Sequence, residues 1–413
     1  MPVLQNVLAA ADTLAARTGL RGFRTSPERL IDLARRQARC DDFGGAPPLD
    51  ALRRLLSACE QEASLSLFGQ FALRWDSLRF LGNLLRLRAQ ESRSPGLLTE
   101  PIEKPIFITG LPRSGTTFLH RLMLEDPVSR APLVWHTIYP CTESEPDKSI
   151  RQVSRQLRGF ELLAPDFRGL HPITAESPQE CSEITAHVFR SLRFDTTYRI
   201  PSYRRWLDAE GQHDAYEFER RFLQHLQHRY GRGRWVLKCP DHLFALPELK
   251  AAFPDARMVF VHRDPLNVLL SVAHLTEVLR RPFTRQLDRI GIGRQESARW
   301  LDGTARMIRA AREEPFAEPI FHVGYRELVG DPVGTIAQVY RHFGLELDAP
   351  TRNRMTRAVA VHPDGGYRHD AYRFEDHGLD EAVEREKFAD YTRFFGIEAE
   401  PPRAAATPAR HAA

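Results

Sequence analysis

Leu49, Leu52, Leu55, Leu56 and Cys59 recur at spacings of three and four residues, and Leu78, Leu81, Leu84 and Leu85 repeat the stripe. That period belongs to helices buried along one face, so the chain is predicted to be helical from its start to about Ser94, with Pro48 suited to a first turn. The stretch ESRSPGLLTEPIEKP then breaks the pattern with linker residues. Beyond it, short β-branched and aromatic runs at Ile106–Thr109, Trp235–Leu237, Met258–Val261 and Ile320–Val323 alternate with helical stretches. Alternation of this kind predicts an α/β fold, a parallel sheet flanked by helices. The organisation follows: an N-terminal helical region over 1–100, an α/β domain over 101–398, and a disordered tail over 399–413, where PPRAAATPARHAA carries no apolar pattern.

Between Glu143 and His213 the periodicity fails and Pro165, Pro172, Pro178 and Pro201 punctuate the chain. An insertion of short helices and loops is predicted there, of the kind that forms substrate sites over a sheet's carboxyl edge. Phe222, Leu223, Leu226 and Tyr230 mark a further helix that stops at Gly231.

Composition narrows the class only a little. Of 413 residues 27% are charged, and 58 basic residues against 54 acidic ones leave a small surplus that calls for no nucleic acid. Five scattered cysteines without a Cys-x-x-Cys pair suggest neither a disulfide framework nor a zinc knot. The opening residues lack the basic segment of a signal peptide, and no run reaches the eighteen or so apolar residues of a membrane span. A soluble, cytoplasmic protein is expected; its oligomeric state is not legible.

The chemistry gathers at two strand-to-helix turns. In PIFITGLPRSGTTFLHRLML, Gly110 and Gly115 have the spacing of a phosphate-binding loop, but Thr116 stands where a nucleotide hydrolase has lysine. Backbone N–H groups around Gly115, the hydroxyls of Thr116 and Thr117, and the charge of Arg113 still make an anion cradle. It suits a ligand without a γ-phosphate. The second turn, VFVHRDPLNVLLS, offers Arg263 and Ser271 beside a helix that Asp264 can cap, with Pro265 in its first turn. Either turn alone is compatible with plain structure. Together they fit one ligand with phosphates in two places, bound beyond the strands' carboxyl ends.

These motifs resemble those of the sulfotransferase superfamily, in particular its bacterial branch with a helical N-terminal region, over about Leu14 to Phe395. The resemblance implies a P-loop-like fold and 3′-phosphoadenosine-5′-phosphosulfate (PAPS) as donor, with no metal. It implies that Arg113, Ser114, Gly115, Thr116 and Thr117 cradle the 5′-phosphosulfate. Arg263 and Ser271 would hold the 3′-phosphate, helped by Arg368 in GGYRH, and Tyr325 in VGYRELVGDP would pack at the adenine. Lys238 in WVLKCPDHL would stabilise the transferring sulfonyl group, with Arg113. The acceptor implied is a hydroxyl, or less favourably an amine, of a small or lipid-like molecule.

Sulfonyl transfer also needs a general base. The branch usually carries Glu after the tryptophan of PLVWHTIYP, and here His136 stands there. His136 is therefore the expected base, with His171, Glu180 and His242 as acceptor-site residues and Glu176 and Asp241 as further candidates. Two other readings stay open: a catalytically degenerate nucleotide-binding interaction protein, and an atypical small-molecule kinase. A kinase would want a magnesium-binding carboxylate at a strand end, where Asp264 is the nearest and is better used as a helix cap.

Overall fold

The computed structural model describes residues 26–141, 146–170, 172–361 and 373–400, with the backbone alone for Arg168. Five parallel strands form the sheet: β1 (Ile106–Gly110), β2 (Ser129–Arg130), β3 (Arg234–Lys238), β4 (Arg257–His262) and β5 (Phe321–Gly324), in spatial order β2-β3-β1-β4-β5. The four strands predicted from sequence are present to within a residue or two. β2 was not predicted, because two residues are too short to show alternation.

Both faces of the sheet are covered, and the pleat divides its residues between two cores. Ile106, Ile108, Val236, Val259 and Val261 pack with Phe118, Leu119, Ile336 and Val339, from the helices Thr116–Met123 and Pro332–His342. Phe107, Leu237, Met258 and Phe260 point the other way. There they share a core with Phe80, Leu81 and Leu85 of the helix Leu67–Arg93, so the N-terminal helical region and the sheet close around the same apolar mass. Buried polar contacts reinforce the join: Arg221 Nη2 and His225 Nε2 reach Glu91 Oε1 at 2.7 and 3.0 Å, and these neighbours hold the Glu91 carboxyl down to about 2.

Local chemistry sets several element ends. The Ser66 hydroxyl accepts from Gly69 N to start the long N-terminal helix, and Asp264 accepts from Leu266 N, with Pro265 next, to start the helix Pro265–Arg280. Gly231 ends the helix His213–Tyr230 as the sequence predicts. The stretch read as an insertion consists of short helices, among them Cys181–Thr185 and Arg193–Thr197, beside the longer Pro146–Leu163. At the far end, Ala399 and Glu400, assigned by sequence to the tail, are tied to the α/β part: Arg326 Nη2 donates to the Ala399 carbonyl and Glu400 N to Asp264 Oδ2. Residues 401–413 lie outside the described residues. No helix among the described residues is long and apolar enough to cross a membrane.

Burial of neutral imidazoles makes the fold acid-sensitive. Burial pushes His120 and His187 down to about 3 and His136 to about 4, against an ordinary value near 6.5. The unfolded chain then binds more protons at these sites, so their contribution is complete above pH 6.5 and is lost as pH falls toward 4. Glu219, raised by burial to about 8, and His242, lowered by burial to about 3, run opposite ways and offset each other, while burial pushes His262 well below its ordinary value and adds a fourth site. The net loss is expected to be on the order of 4 to 5 kcal/mol per pH unit just below pH 6. A urea midpoint that stays level between pH 7 and 5 would contradict this.

Candidate active site

β3, β1 and β4 lie side by side, with Ile108 paired to Lys238 and Gly110 to Val261. Their carboxyl ends therefore present Lys238, the glycine loop and Arg263 along one edge. The loop needs glycine for two different reasons. Gly110 has φ +135°, and a Cβ there would sit 2.2 Å from the Val261 carbonyl oxygen; Gly115 has φ +92° and abuts Leu328 and Tyr325. Arg113 also takes a left-handed conformation, φ 60°, so successive backbone N–H groups turn inward and form a concavity for an anion. Ser114 does not present its hydroxyl to that concavity: it is fully buried and donates to the Leu111 carbonyl at 2.5 Å, which closes the turn.

The two predicted turns are joined directly. Arg113 Nε donates to Ser271 Oγ at 3.0 Å, and Arg263 Nη1 donates to the Arg113 carbonyl at 2.6 Å. The Arg263 guanidinium lies over the Tyr325 ring, 3.8 Å from its centre. Its outer edge grips Glu400 in a bidentate pair, Nε to Oε1 at 2.8 Å and Nη2 to Oε2 at 2.7 Å. A carboxylate thus sits on the fork that the resemblance assigns to a phosphate, in the bidentate geometry with which arginine holds oxyanions. No sequence pattern pointed to Glu400, which stands before a proline-rich end.

Lys238 is buried at the end of β3 and its Nζ pairs with Glu180 Oε1. Glu180 is 30% exposed at its side chain and faces a cavity of about 790 Å³. That cavity begins at Arg113, Gly115, Thr116 and Thr117, passes Glu180 and Asp241, and continues to a wall of Phe68, Trp75, Leu157, Phe160, Leu275 and Phe283. A buried ring of charges lies between the two ends. Arg79 Nη2 bridges Asp76 Oδ1 at 2.8 Å and Glu183 Oε1 at 2.6 Å, and Arg193 closes the ring through Asp76 Oδ2 at 2.9 Å and Glu183 Oε2 at 2.6 Å. Asp241 pairs with Arg299 at 2.5 Å, and burial holds its carboxyl above the ordinary value despite that partner.

Three sequence expectations change. His136 does not line the cavity. Its Nδ1 accepts from Leu133 N at 3.1 Å, its ring stacks on Tyr230 at 4.8 Å, and burial with the nearby Arg229 holds it neutral. With the Nδ1 lone pair engaged, the neutral ring carries its proton on Nε2 and has nothing left with which to accept another. His242 is likewise away from the cavity, buried, with Nδ1 at 2.7 Å from the Tyr216 hydroxyl. Glu176 is exposed and Glu180 takes the position beside Lys238. His171 and Arg368 lie outside the described residues.

The sulfotransferase family profile matches residues 105–349. Omega-hydroxy-beta-dihydromenaquinone-9 sulfotransferase Stf3 of Mycobacterium bovis and of Mycobacterium tuberculosis is 27% identical over 274 residues, 63% of this chain and 68% of theirs. The crystal structure of sulfotransferase STF9 from Mycobacterium avium superposes with a TM-score of 0.79 at 27% identity, over 91% of this chain and 97% of that one. Sulfotransferase STF1 from Mycobacterium tuberculosis gives 0.76 at 31% identity, over 88% and 98%. With its phosphate loop and second anion turn meeting at one cavity, and its strand-end lysine paired to a glutamate that lines it, the chain belongs to the sulfotransferase family.

Proposed function

We propose that the protein moves the sulfonyl group of PAPS to a hydroxyl of an apolar, lipid-like acceptor, with Glu180 as general base. The observation that carries this reading is the single cavity that runs from the glycine loop, past the Lys238–Glu180 pair, to an aromatic and aliphatic wall. An acceptor with a long hydrocarbon part matches that wall, and the mycobacterial relative named for omega-hydroxy-beta-dihydromenaquinone-9 supports the same class. A small-molecule kinase is not favoured: Asp264, the carboxylate nearest a strand end, is spent on Leu266 N and Glu400 N.

The residues fit the donor on two counts, the concavity at Gly115 and the oxyanion-binding fork of Arg263. Loop N–H groups with Thr116 and Thr117 would hold the 5′-phosphate. Arg263 and Ser271 would hold the 3′-phosphate once Glu400 is displaced, and Tyr325 would flank the adenine. When bound, the donor supplies an electrophilic sulfur and a bisphosphate leaving group. Glu180 takes the acceptor's hydroxyl proton as the new O–S bond forms, and the electron pair of the breaking S–O bond stays with the 5′-phosphate. Lys238 and Arg113 stabilise the charge that develops there. Proton transfer away from the acceptor also frees Lys238 Nζ from its carboxylate partner, so the pair changes roles together.

Three measurements test this. 3′-Phosphoadenosine-5′-phosphate should raise the melting temperature without Mg²⁺, by the equivalent of about 2.7 kcal/mol at one hundred times its Kd, and more than ATP does. Equal protection by ATP with Mg²⁺ would remove the PAPS reading. Glu180→Gln should cut kcat by roughly a hundredfold or more while binding the bisphosphate normally, whereas His136→Ala should keep near-native turnover and lose about 1 kcal/mol of stability with its capping contact. The reverse pair of phenotypes would return the base to His136. Arg263→Ala should raise the donor KM by on the order of tenfold to a hundredfold, and Glu400→Ala should lower it; a Glu400→Ala enzyme with a weakened donor would show that the carboxylate helps to build the site.

A further inference from the structure

Three chemically reactive side chains meet outside the cavity, in a place that the transfer reaction does not use. Cys181 opens the helix Cys181–Thr185, Glu219 lies in the middle of the helix His213–Tyr230, and His242 sits in the turn Pro240–Phe244. One ligand atom from each lies within 4.8 Å of the others, and all three residues are at most 1% exposed. Neither Glu219 oxygen makes a hydrogen bond of normal geometry, and neither does His242 Nε2. The polar group that acts on the Glu219 carboxyl is the Cys181 thiol.

A wholly buried carboxyl with two unsatisfied oxygens, close to an imidazole with an unsatisfied nitrogen, is costly unless a water or a metal ion satisfies them. The surroundings are arranged as they are around a metal-bound imidazole. The Tyr216 hydroxyl lies 2.7 Å from His242 Nδ1, which leaves Nε2 as the ring nitrogen without a hydrogen bond, and the Phe107 ring meets the imidazole edge-on at 5.1 Å. One sulfur, one nitrogen and one oxygen donor exclude magnesium and calcium, which take oxygen shells, and suit zinc. A thiolate and a carboxylate also balance the two charges of the ion, so the site would be neutral where no solvent can screen it. Bond lengths of about 2.0 to 2.3 Å place tetrahedral ligands about 3.5 Å apart, a contraction of up to about 1.3 Å from the spacing seen.

We propose that Cys181, Glu219 and His242 bind a zinc(II) ion through three protein ligands, with a water as the fourth, and that the ion pins the two segments carrying the catalytic pair. Cys181 directly follows Glu180, and His242 is four residues beyond Lys238. An ion bound to both would fix the backbone on either side of the Lys238–Glu180 contact. Binding releases the Cys181 thiol proton and the Glu219 carboxyl proton to solvent. This site stands independently of the donor and acceptor.

The test uses the full chain without an affinity tag, purified from zinc-supplemented culture. Elemental analysis should find about one zinc per chain, retained through dialysis. After chelation and reconstitution with cobalt(II), thiolate-to-cobalt charge transfer and tetrahedral visible bands should appear, and the melting temperature should rise again. Cys181→Ser should abolish the charge-transfer band, and Cys239→Ser should keep it. Native protein that carries no zinc and takes up neither metal on dialysis overturns the proposal, as does a Cys181→Ser chain with full metal and an unchanged cobalt spectrum. If Cys181→Ser does not fold, the metal content and cobalt spectrum of the native and Cys239→Ser chains decide the question.

Discussion

Everything at the site depends on three parallel strands ending along one edge. The pairing of β1 with β3 and β4 sets Lys238 two residues below the level of Gly110, and β4 delivers Arg263 on the opposite side. Hydrogen-bonded register fixes these offsets far more tightly than loops could, because shifting a strand by one residue would send every side chain to the opposite core. The Val261 carbonyl oxygen at the place of a Gly110 Cβ shows how closely the backbones approach. An anion cradle and, more than a hundred residues further along the chain, a lysine and an arginine are brought together by main-chain geometry first, and side chains only refine the fit.

Charge balance governs the refinement. The edge gathers Arg113, Lys238 and Arg263, and each has an oxygen to hold: Ser271, Glu180 and Glu400 respectively. Two of those partners are carboxylates that the proposed chemistry must move. Glu400 would yield Arg263 to a phosphate, and Glu180 would yield Lys238 on accepting a proton. A site built for a highly anionic donor is thus kept from carrying uncompensated positive charge in its interior, where desolvation would be costly. The Asp76–Arg79–Glu183–Arg193 ring applies the same rule to the cavity wall, and it also fastens the N-terminal helix to the helix that follows Glu180.

The N-terminal helix acts as a wall of the site as well as a support. Phe68 and Trp75 face the cavity, while Phe80 and Leu81 fill the core under the sheet. Arg79 Nη1 and Asn83 Nδ2 bind the carbonyls of Thr137 and Ile138 at 3.1 and 3.2 Å, which anchors the short helix Val134–Ile138. His136 belongs to that anchored segment. Its neutral ring accepts from Leu133 N and stacks on Tyr230, a use that makes it structural.

The sequence by itself determined four of the five strands, the glycine loop, the Asp264 cap and the second anion turn, since each is written in a local pattern: alternation, a required positive φ, or a hydroxyl and arginine near a helix start. It also singled out Lys238 through its motif. Only the tertiary structure decided which candidate sits beside Lys238, because whether His136, Glu176, Glu180 or Asp241 reaches the lysine depends on contacts across many residues, which no spacing encodes. The same holds for Glu400 on Arg263, for the wall supplied by Phe68 and Trp75, and for the meeting of Cys181, Glu219 and His242. Burial and distance between remote segments, rather than residue type, turn a carboxylate or an imidazole into a base, a clamp or a ligand.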